Sequence, residues 1–175
     1  MPYVFDTSAF IIIGHYYPDQ FPTFWKRFNT AVESGEIVSV REVLKELSTK
    51  ASRPWLADWV QNNAGIFRVP TARETAFVSK IFRIPHFQML VSGKARLTGK
   101  PAADPFVIAT ARVLGGTVVS EETKKPNAAR IPNVCEHFGI PCLSVEGFLA
   151  EKKWTFLIRR HVFSTSLRYA RPGSA

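Results

Sequence analysis

The sequence predicts a three-layer α/β/α fold built on a central parallel sheet of four or five strands. Short apolar runs of strand length alternate along the chain with segments whose apolar residues recur at helical spacing. This alternation favours parallel strands connected by helices, and the apolar character of the runs is typical of a sheet covered on both faces. With 175 residues, of which 46% are hydrophobic, the chain has the size of one domain and can bury a substantial core without disulfides or a structural metal.

The individual elements follow from these runs and from residues that start or stop a helix. The predicted strands are 3–5, 37–40, 117–120 and 141–145, with 67–69 as a brief extended segment. The predicted helices are 9–14, 21–34, 41–51, 54–61, 71–82, 85–97, 104–114, 134–138 and 146–152. Gly35 stops one helix and Pro54 lies in the first turn of another. Asp104 is expected to cap a third helix, with Pro105 at its first position. Segments 62–65, 98–101 and 121–130 are predicted to be turns or loops.

The charge of the chain favours a polyanionic partner. The 23 Lys and Arg residues outnumber the 14 Asp and Glu residues, which gives a net charge of +9. Residues 151–175 carry six of the basic residues and only one acidic residue. We therefore expect residues 1–152 to form the folded domain and residues 153–175 to form a basic C-terminal extension. A basic surface of this kind favours nucleic acid as a partner.

The composition argues against a membrane or secreted protein. The chain contains no run of about 18 apolar residues, the length that a spanning helix requires. Asp6 interrupts the first apolar run, and no basic segment precedes that run, so a secretory signal is not expected. The only cysteines are Cys135 and Cys142, too few for a zinc site or a disulfide framework. The expected location is the cytoplasm, with both thiols buried.

Acidic residues follow the predicted strands or begin the helices beside them. Asp6 follows the first strand, Asp104 opens a helix, and Glu122 follows a later strand. Glu42 and Glu46 lie one turn apart on the helix after the second strand, so they face the same way. Because the carboxyl ends of parallel strands meet at one edge of a sheet, we expect the first three acids to lie together there. One of the two glutamates would approach the same edge from the neighbouring helix.

A cluster of this kind indicates a bound cation. Carboxylates a few Å apart raise each other's pKa, so folding disfavours the cluster unless a cation neutralises it. Oxygen ligands without His or Cys suit Mg²⁺ or Mn²⁺, and such an ion can activate water towards a phosphodiester. Each acid also has a purely structural interpretation. Asp6 and Asp104 could be helix caps, Glu42 and Glu46 exposed ion-pairing residues, and Glu121 and Glu122 loop residues in solvent.

Four segments resemble the motifs of the PIN-domain family of metal-dependent ribonucleases. They are Val4-Phe5-Asp6-Thr7-Ser8, Val43-Leu44-Lys45-Glu46-Leu47, the helix start at 104–111, and Val119-Ser120-Glu121-Glu122, all within residues 3–149. Further segments resemble the DUF4411 branch of PIN-like proteins: Tyr16-Tyr17-Pro18, Phe24-Trp25, Val40-Arg41-Glu42-Val43, Asp104-Pro105-Phe106 and Ile131-Pro132-Asn133-Val134-Cys135. The fourth acid of the family is usually Asp, so Glu121 and Glu122 compete for this role here. Glu122 fits the spacing better.

The resemblance implies a PIN-like fold and an endoribonuclease dependent on Mg²⁺ or Mn²⁺, similar to the VapC-type toxins of toxin–antitoxin pairs. The catalytic and metal-binding residues that it implies are Asp6, Glu46, Asp104 and Glu122. The secondary candidates are Thr7, Ser8, Glu42 and Glu121. The partners that it implies are RNA, a cognate antitoxin protein and a second copy of the chain in a homodimer.

Basic residues close to the predicted edge are candidates for contacts with phosphate: Arg41, Lys100, Lys124 and Lys125. Two other functions remain open. The chain could be a PIN-like module that binds RNA or protein without cleavage. It could also be a phosphatase with an aspartyl nucleophile, although such enzymes usually need a second Asp at the position that Ser8 occupies here.

Overall fold

A computed structural model of the chain describes residues 1–50, 53–91 and 102–155. Within these residues, five parallel strands form one sheet in the order β3-β2-β1-β4-β5. The strands are β1 (Tyr3–Phe5), β2 (Ile37–Val40), β3 (Phe67–Arg68), β4 (Thr117–Val119) and β5 (Cys142–Leu143). The predicted α/β fold with a parallel sheet is therefore confirmed, and the brief extended segment is its fifth strand.

Helices connect the strands and cover the sheet. They are α1 (Thr7–Ile13), α2 (Pro22–Glu33), α3 (Arg41–Lys50), α4 (Pro54–Asn62), α5 (Ala72–Phe82), α6 (Asp104–Leu114), α7 (Ile131–His137) and α8 (Val145–Glu151). Two 3₁₀ segments, Ala64–Ile66 and Pro85–Leu90, complete the described elements. No helix within the described ranges has the length and apolar character needed to cross a membrane.

The strand order marks the position beside β1 as the expected ligand site. This strand pairs with β2 on one side and with β4 on the other, with Tyr3 opposite both Ile37 and Thr117. The chain therefore builds outwards from β1 in one direction and then returns to build in the other. Ligands of open parallel sheets bind at the carboxyl ends of the strands where this reversal occurs. In this fold that position lies between the ends of β1 and β4.

Aromatic side chains pack around the end of β1. Phe5, the last residue of β1, is fully buried. Its ring centroid lies 5.5 Å from that of Phe10, 5.6 Å from that of Phe28 and 5.2 Å from that of Phe148. Rings at these separations pack closely and bury large apolar areas. The backbone that carries Asp6 is therefore held by a rigid part of the core.

The segment predicted as a helix over 85–97 differs from that prediction. Its described part is a 3₁₀ helix, Pro85–Leu90, while residues 92–101 lie outside the described ranges and include the predicted loop 98–101. Phe87 and Leu90 are the buried residues of the segment. Their spacing of three matches the period of a 3₁₀ helix, which places both side chains on one face.

Other predicted boundaries shift by one to three residues, and two of these shifts have a clear local cause. Helix α7 begins at Ile131 instead of residue 134, because the Glu122 carboxylate accepts a hydrogen bond from the Ile131 amide at 2.8 Å. Strand β5 ends at Leu143 because Ser144 caps the next helix by accepting from the Gly147 amide. In both places a side-chain cap decides where the helix starts.

The predicted basic extension begins within the described residues. Trp154 packs against the domain, with its ring centroid 5.3 Å from that of Phe148 and 6.1 Å from that of Phe24. Residues 156–175, which carry four of the basic residues of the extension, lie outside the described ranges.

Candidate functional site

Asp6 lies directly after β1, at the point where the strand order reverses. It follows β1 and caps α1, because its Oδ1 accepts a hydrogen bond from the Ala9 amide at 2.7 Å. The Ser8 hydroxyl donates to both carboxylate oxygens at 2.9 Å, and the Ser120 hydroxyl donates to Oδ2 at 2.8 Å. Asp6 therefore does cap the helix, but the capping hydrogen bond uses only one of its two carboxylate oxygens, Oδ1.

The Asp6 carboxylate is held at an electrostatic cost. The residue is only 4% exposed, and burial raises its pKa from 3.8 to about 6. The hydrogen bonds from Ala9, Ser120 and Ser8 favour the charged form, but they do not offset the burial. The negative charge of Glu122 adds to the rise. A cation beside Asp6 would reverse both unfavourable effects.

Two serine hydroxyls tie the loop after β4 to Asp6. Ser120 accepts a hydrogen bond from the Glu122 amide at 3.1 Å while it donates to Asp6. Ser8 accepts from the Glu121 amide at 2.9 Å while it donates to Asp6. The backbone amide of each glutamate is therefore linked to the Asp6 carboxylate through one serine hydroxyl.

The two glutamates turn towards different neighbours. Glu122 Oε2 accepts from the Ile131 amide, and the Glu122 charge acts on Asp6. Glu121 Oε1 accepts from the Val145 amide at 2.6 Å. Burial, with the charges of Glu121 and Glu146, raises the pKa of Tyr16. Glu122 is thus the residue of the pair that acts electrostatically on Asp6.

Glu46 joins the starts of two helices at this edge. Its Oε2 accepts from the Thr7 hydroxyl at 3.0 Å, and its Oε1 accepts from the Ala103 amide at 3.1 Å. Ala103 directly precedes Asp104, so Glu46 approaches both the Asp6–Thr7 turn and the start of α6. No sequence pattern predicted this contact, because it joins residues 57 positions apart.

The prediction that Asp104 caps α6 is wrong. The cap residue is Ala103, in a helical conformation, and its own side chain makes no capping hydrogen bond. Asp104 is the first helical residue and Pro105 the second. The Glu46 side chain on α3 instead accepts a hydrogen bond from the Ala103 amide, so a backbone donor at the start of α6 has its partner there. The half-buried Asp104 carboxylate remains in the first turn, where the helix dipole favours a negative charge.

Glu42 is buried one turn before Glu46. Its side chain is 9% exposed, and its Oε1 pairs with the Arg41 guanidinium at 3.1 Å. Within the described residues its Oε2 is buried without a hydrogen-bond partner. Glu42 is therefore not the exposed ion-pairing residue that its structural interpretation predicted.

The basic candidates for phosphate contacts have varied surroundings. Arg41 pairs with Glu42, and Lys124 pairs with Glu136 at 2.5 Å. Lys125 is exposed, and its backbone exchanges two hydrogen bonds with the Asn133 side chain. Lys100 lies outside the described residues.

We name the four acids Asp6, Glu46, Asp104 and Glu122 the acidic cluster. In the ranges that the structure describes, no three His, Cys, Asp or Glu side chains converge closely enough to form a ready metal centre. The acids are connected instead by hydrogen bonds with hydroxyls and backbone amides. The donor chemistry nevertheless suits a hard divalent cation, because all donors are oxygens and Asp6 is buried beside a second negative charge. Coordination by three or more of these acids would require their side chains to move closer together.

Comparison with protein families confirms the resemblance to the DUF4411 branch. A family model described as "Domain of unknown function (DUF4411)" matches residues 3–156. None of the curated proteins matches the chain. Among solved structures, a chain of VapBC2 from Rickettsia felis, crystallised with a DNA fragment from the promoter, is 15% identical with a TM-score of 0.45. That match covers 73% of this chain and 96% of the other. PAE2754 from Pyrobaculum aerophilum is 12% identical with a TM-score of 0.36, covering 79% and 97% of the two chains.

Proposed function

This chain belongs to the DUF4411 family, and we propose that it is a PIN-like endoribonuclease that depends on Mg²⁺ or Mn²⁺. The observation that carries the proposal is the position of Asp6. A buried carboxylate with a pKa raised to about 6 lies at the reversal point of a parallel sheet, with a second carboxylate close enough to raise that pKa further.

The four acids have distinct roles in this proposal. Asp6 and Asp104 would hold the ion most directly, and Glu46 and Glu122 would complete its surroundings, directly or through water. When bound, a divalent cation activates water and offsets the negative charge that develops on a phosphodiester. Glu122 takes the fourth position, because its charge acts on Asp6 whereas the side chain of Glu121 turns to the start of α8.

The hydroxyl residues position the acids. Ser8 and Ser120 donate to Asp6 and hold its charged form in one orientation. Thr7 holds Glu46 towards the same turn. To donate to a bound RNA phosphate instead, Thr7 or Ser8 would have to turn its single hydroxyl proton away from Glu46 or Asp6.

The charge of the protein supports RNA as the substrate. A net charge of +9 attracts the phosphate backbone of RNA to the protein. In this proposal residues 1–152 form the catalytic domain and residues 153–175 add basic charge. The protein would act in the cytoplasm, as the toxin of a toxin–antitoxin pair and as a homodimer.

The proposal is tested by incubating a mixed RNA pool with the purified protein in Mn²⁺ or in EDTA. Wild type is compared with Asp104→Asn, and the exposed Asp19→Asn serves as a matched control for loss of one charge. We expect Mn²⁺-dependent cleavage by wild type and Asp19→Asn, and loss of cleavage in Asp104→Asn with an unchanged circular dichroism spectrum. Equal cleavage by all three proteins would contradict the site, because the Asp104 carboxylate would then be dispensable for cleavage.

A second function is favoured by one observation. Glu46, Glu121 and Glu122 each accept a backbone amide that begins or precedes a helix, so each has a structural role without a metal. A PIN-like module that binds RNA or protein without cleaving it would use the acids in this way. Filter binding of RNA in EDTA distinguishes the two functions, since only the module combines salt-dependent binding with an absence of cleavage in Mn²⁺.

A further inference from the structure

A groove lies along the exposed face of α2, and the proposed hydrolysis makes no use of it. Its volume is about 510 Å³, within the range of about 300–1,000 Å³ that is typical of ligand sites. We name it the α2 groove. One wall is the helix α2 and the other is the segment that follows α8, and the residues that carry the argument are Thr23, Lys26, Arg27, Thr30, Lys152 and Trp154.

The sequence of α2 assigns opposite faces of the helix to the core and to the groove. Phe24 and Phe28 are fully buried, whereas Lys26, Arg27 and Thr30 are exposed. Lys26 and Arg27 lie four and three residues before Thr30, so the three side chains share one face of the helix. The α2 groove is therefore lined by the polar face of a helix whose apolar face is anchored in the core.

The groove carries an excess of positive charge. Among its described lining residues, three are basic and only Glu36 is acidic. Lys152 pairs with Glu36 at 2.5 Å. In the part of the chain that the structure describes, neither Lys26 nor Arg27 forms an ion pair with a carboxylate. These two cations therefore remain to hold an anionic ligand.

Trp154 adds an aromatic surface beside the cations. Its ring is half-buried and packs edge-on against Phe24 and Phe148, at centroid distances of 6.1 Å and 5.3 Å. The Lys152 ammonium lies 6.0 Å from the centroid of the same ring. Sites for single-stranded nucleic acid combine these two features, because a base stacks on the aromatic ring while the cations bind the phosphates.

Charge disfavours two other occupants of the α2 groove. Residues 156–175, which follow this wall of the groove in the sequence, contain four arginines and no Asp or Glu. A second copy of the chain carries the same net charge of +9. Both would bring positive charge to a positive groove, whereas RNA brings a row of phosphates.

We propose that the α2 groove binds single-stranded RNA, with phosphates on Lys26 and Arg27 and a base on the ring of Trp154. The groove reaches the amino end of β2, since Glu36, the residue before this strand, lines it. The acidic cluster lies at the carboxyl ends of the strands, so the groove anchors RNA away from the point of cleavage. The inference rests on the proposed function for RNA as the partner, but not for the metal or for cleavage.

The two cations are tested by fluorescence anisotropy in EDTA, with the full-length protein and a labelled oligouridylate of about 12 nucleotides, a length typical of single-strand sites. The variant is Lys26→Ala with Arg27→Ala. Its matched control is Arg73→Ala with Lys80→Ala, which removes an exposed Arg and an exposed Lys of α5 that do not line the groove.

The expected size of the effect follows from the two lost phosphate contacts. Each contact with a single strand contributes about 0.7 to the slope of log K against log salt concentration, so the variant should reduce that slope by about 1.4. If the affinities converge at about 1 M salt, the variant should bind about 25-fold more weakly than wild type at about 0.1 M salt. The control should bind like wild type.

The base contact is tested by tryptophan fluorescence with Trp154→Phe, which keeps an aromatic ring against Phe24 and Phe148. The oligouridylate should quench part of the wild-type fluorescence and leave the fluorescence of the other three tryptophans in the variant unchanged. Quenching of equal size in both proteins would contradict stacking on this ring.

Four results would overturn the α2 groove as an RNA site. They are absence of RNA binding by wild type, equal affinity and salt slope in wild type and the Lys26→Ala, Arg27→Ala variant, quenching by uridine monophosphate at the same concentration as by RNA, and equally tight binding of polyglutamate. The third would make a free nucleotide the ligand and the fourth an acidic protein. The wild-type measurements depend on no substitution, and circular dichroism verifies the fold of each variant. Because no step measures cleavage, failure of the groove is distinguished from failure of the metal site.

Discussion

Replacing Asp6 by asparagine should change how the stability of the metal-free protein depends on pH. The carboxyl group is 4% exposed, and its pKa is about 6 in the folded protein against an ordinary value of 3.8. Between these two values the folded protein holds a proton that the unfolded chain has released. The free energy of unfolding therefore falls as pH rises through this window.

The magnitude follows from the two pKa values. The difference between 3.8 and about 6 corresponds to about 3 kcal/mol of stability lost between pH 4 and pH 7. The asparagine side chain of the variant cannot titrate, and its oxygen can still accept from the Ala9 amide while the hydroxyls of Ser8 and Ser120 turn to accept from its nitrogen. Relative to the variant, wild type should thus lose about 3 kcal/mol across this range.

The assay is urea unfolding in EDTA, followed by tryptophan fluorescence at a series of pH values from about 4 to about 7.5, which span the window between the two pKa values. Asp19→Asn, at an exposed loop position, controls for the removal of one carboxylate. Addition of Mn²⁺ at the upper end of the series should restore much of the lost stability in wild type but not in Asp6→Asn. The reasoning is refuted if the difference between wild type and Asp6→Asn stays constant with pH.

Two further predictions concern the scaffold. Thr71→Ala removes the hydroxyl that accepts from the Glu74 amide in the capping box of α5, and should lower the free energy of unfolding in urea by about 1 kcal/mol. Thr75→Ala, at another exposed position, should leave that free energy within about 0.5 kcal/mol of the wild-type value. Gly116→Ala would press its Cβ against the Pro2 carbonyl oxygen, closer than van der Waals contact allows, so it should lower the melting temperature clearly, whereas Gly65→Ala meets nothing within 4 Å and should change it little.

Much of the fold was predictable because its signals are local. The strand Ile37–Val40 was predicted to the residue, since an apolar run lies between the glycine that ends one helix and the charged start of the next. Gly35 adopts a φ of +72°, as a residue that ends a helix in this way should. The prediction for segment 85–90 failed because an apolar spacing of three is compatible with both an α-helix and a 3₁₀ helix.

The site was predictable only in outline. Parallel-strand logic places Asp6 and Glu122 at one edge, but it cannot choose between two adjacent glutamates that differ only in which way they turn. The contact from Glu46 to the Ala103 amide, which removes the need for Asp104 as a cap, depends on how α3 and α6 approach each other. Such contacts arise from tertiary packing and leave no periodic trace in the sequence.

The most direct test of the central claim is calorimetric titration of Mn²⁺ into Glu122→Gln and Glu121→Gln at neutral pH. Both variants lose one carboxylate from the same loop, and each residue accepts one backbone amide, so they are matched in charge and in structural role. If the acidic cluster is a single cation site, Glu122→Gln should weaken Mn²⁺ binding by at least about tenfold while Glu121→Gln binds like wild type. Equal affinities in the two variants, or no binding by wild type, would contradict the account.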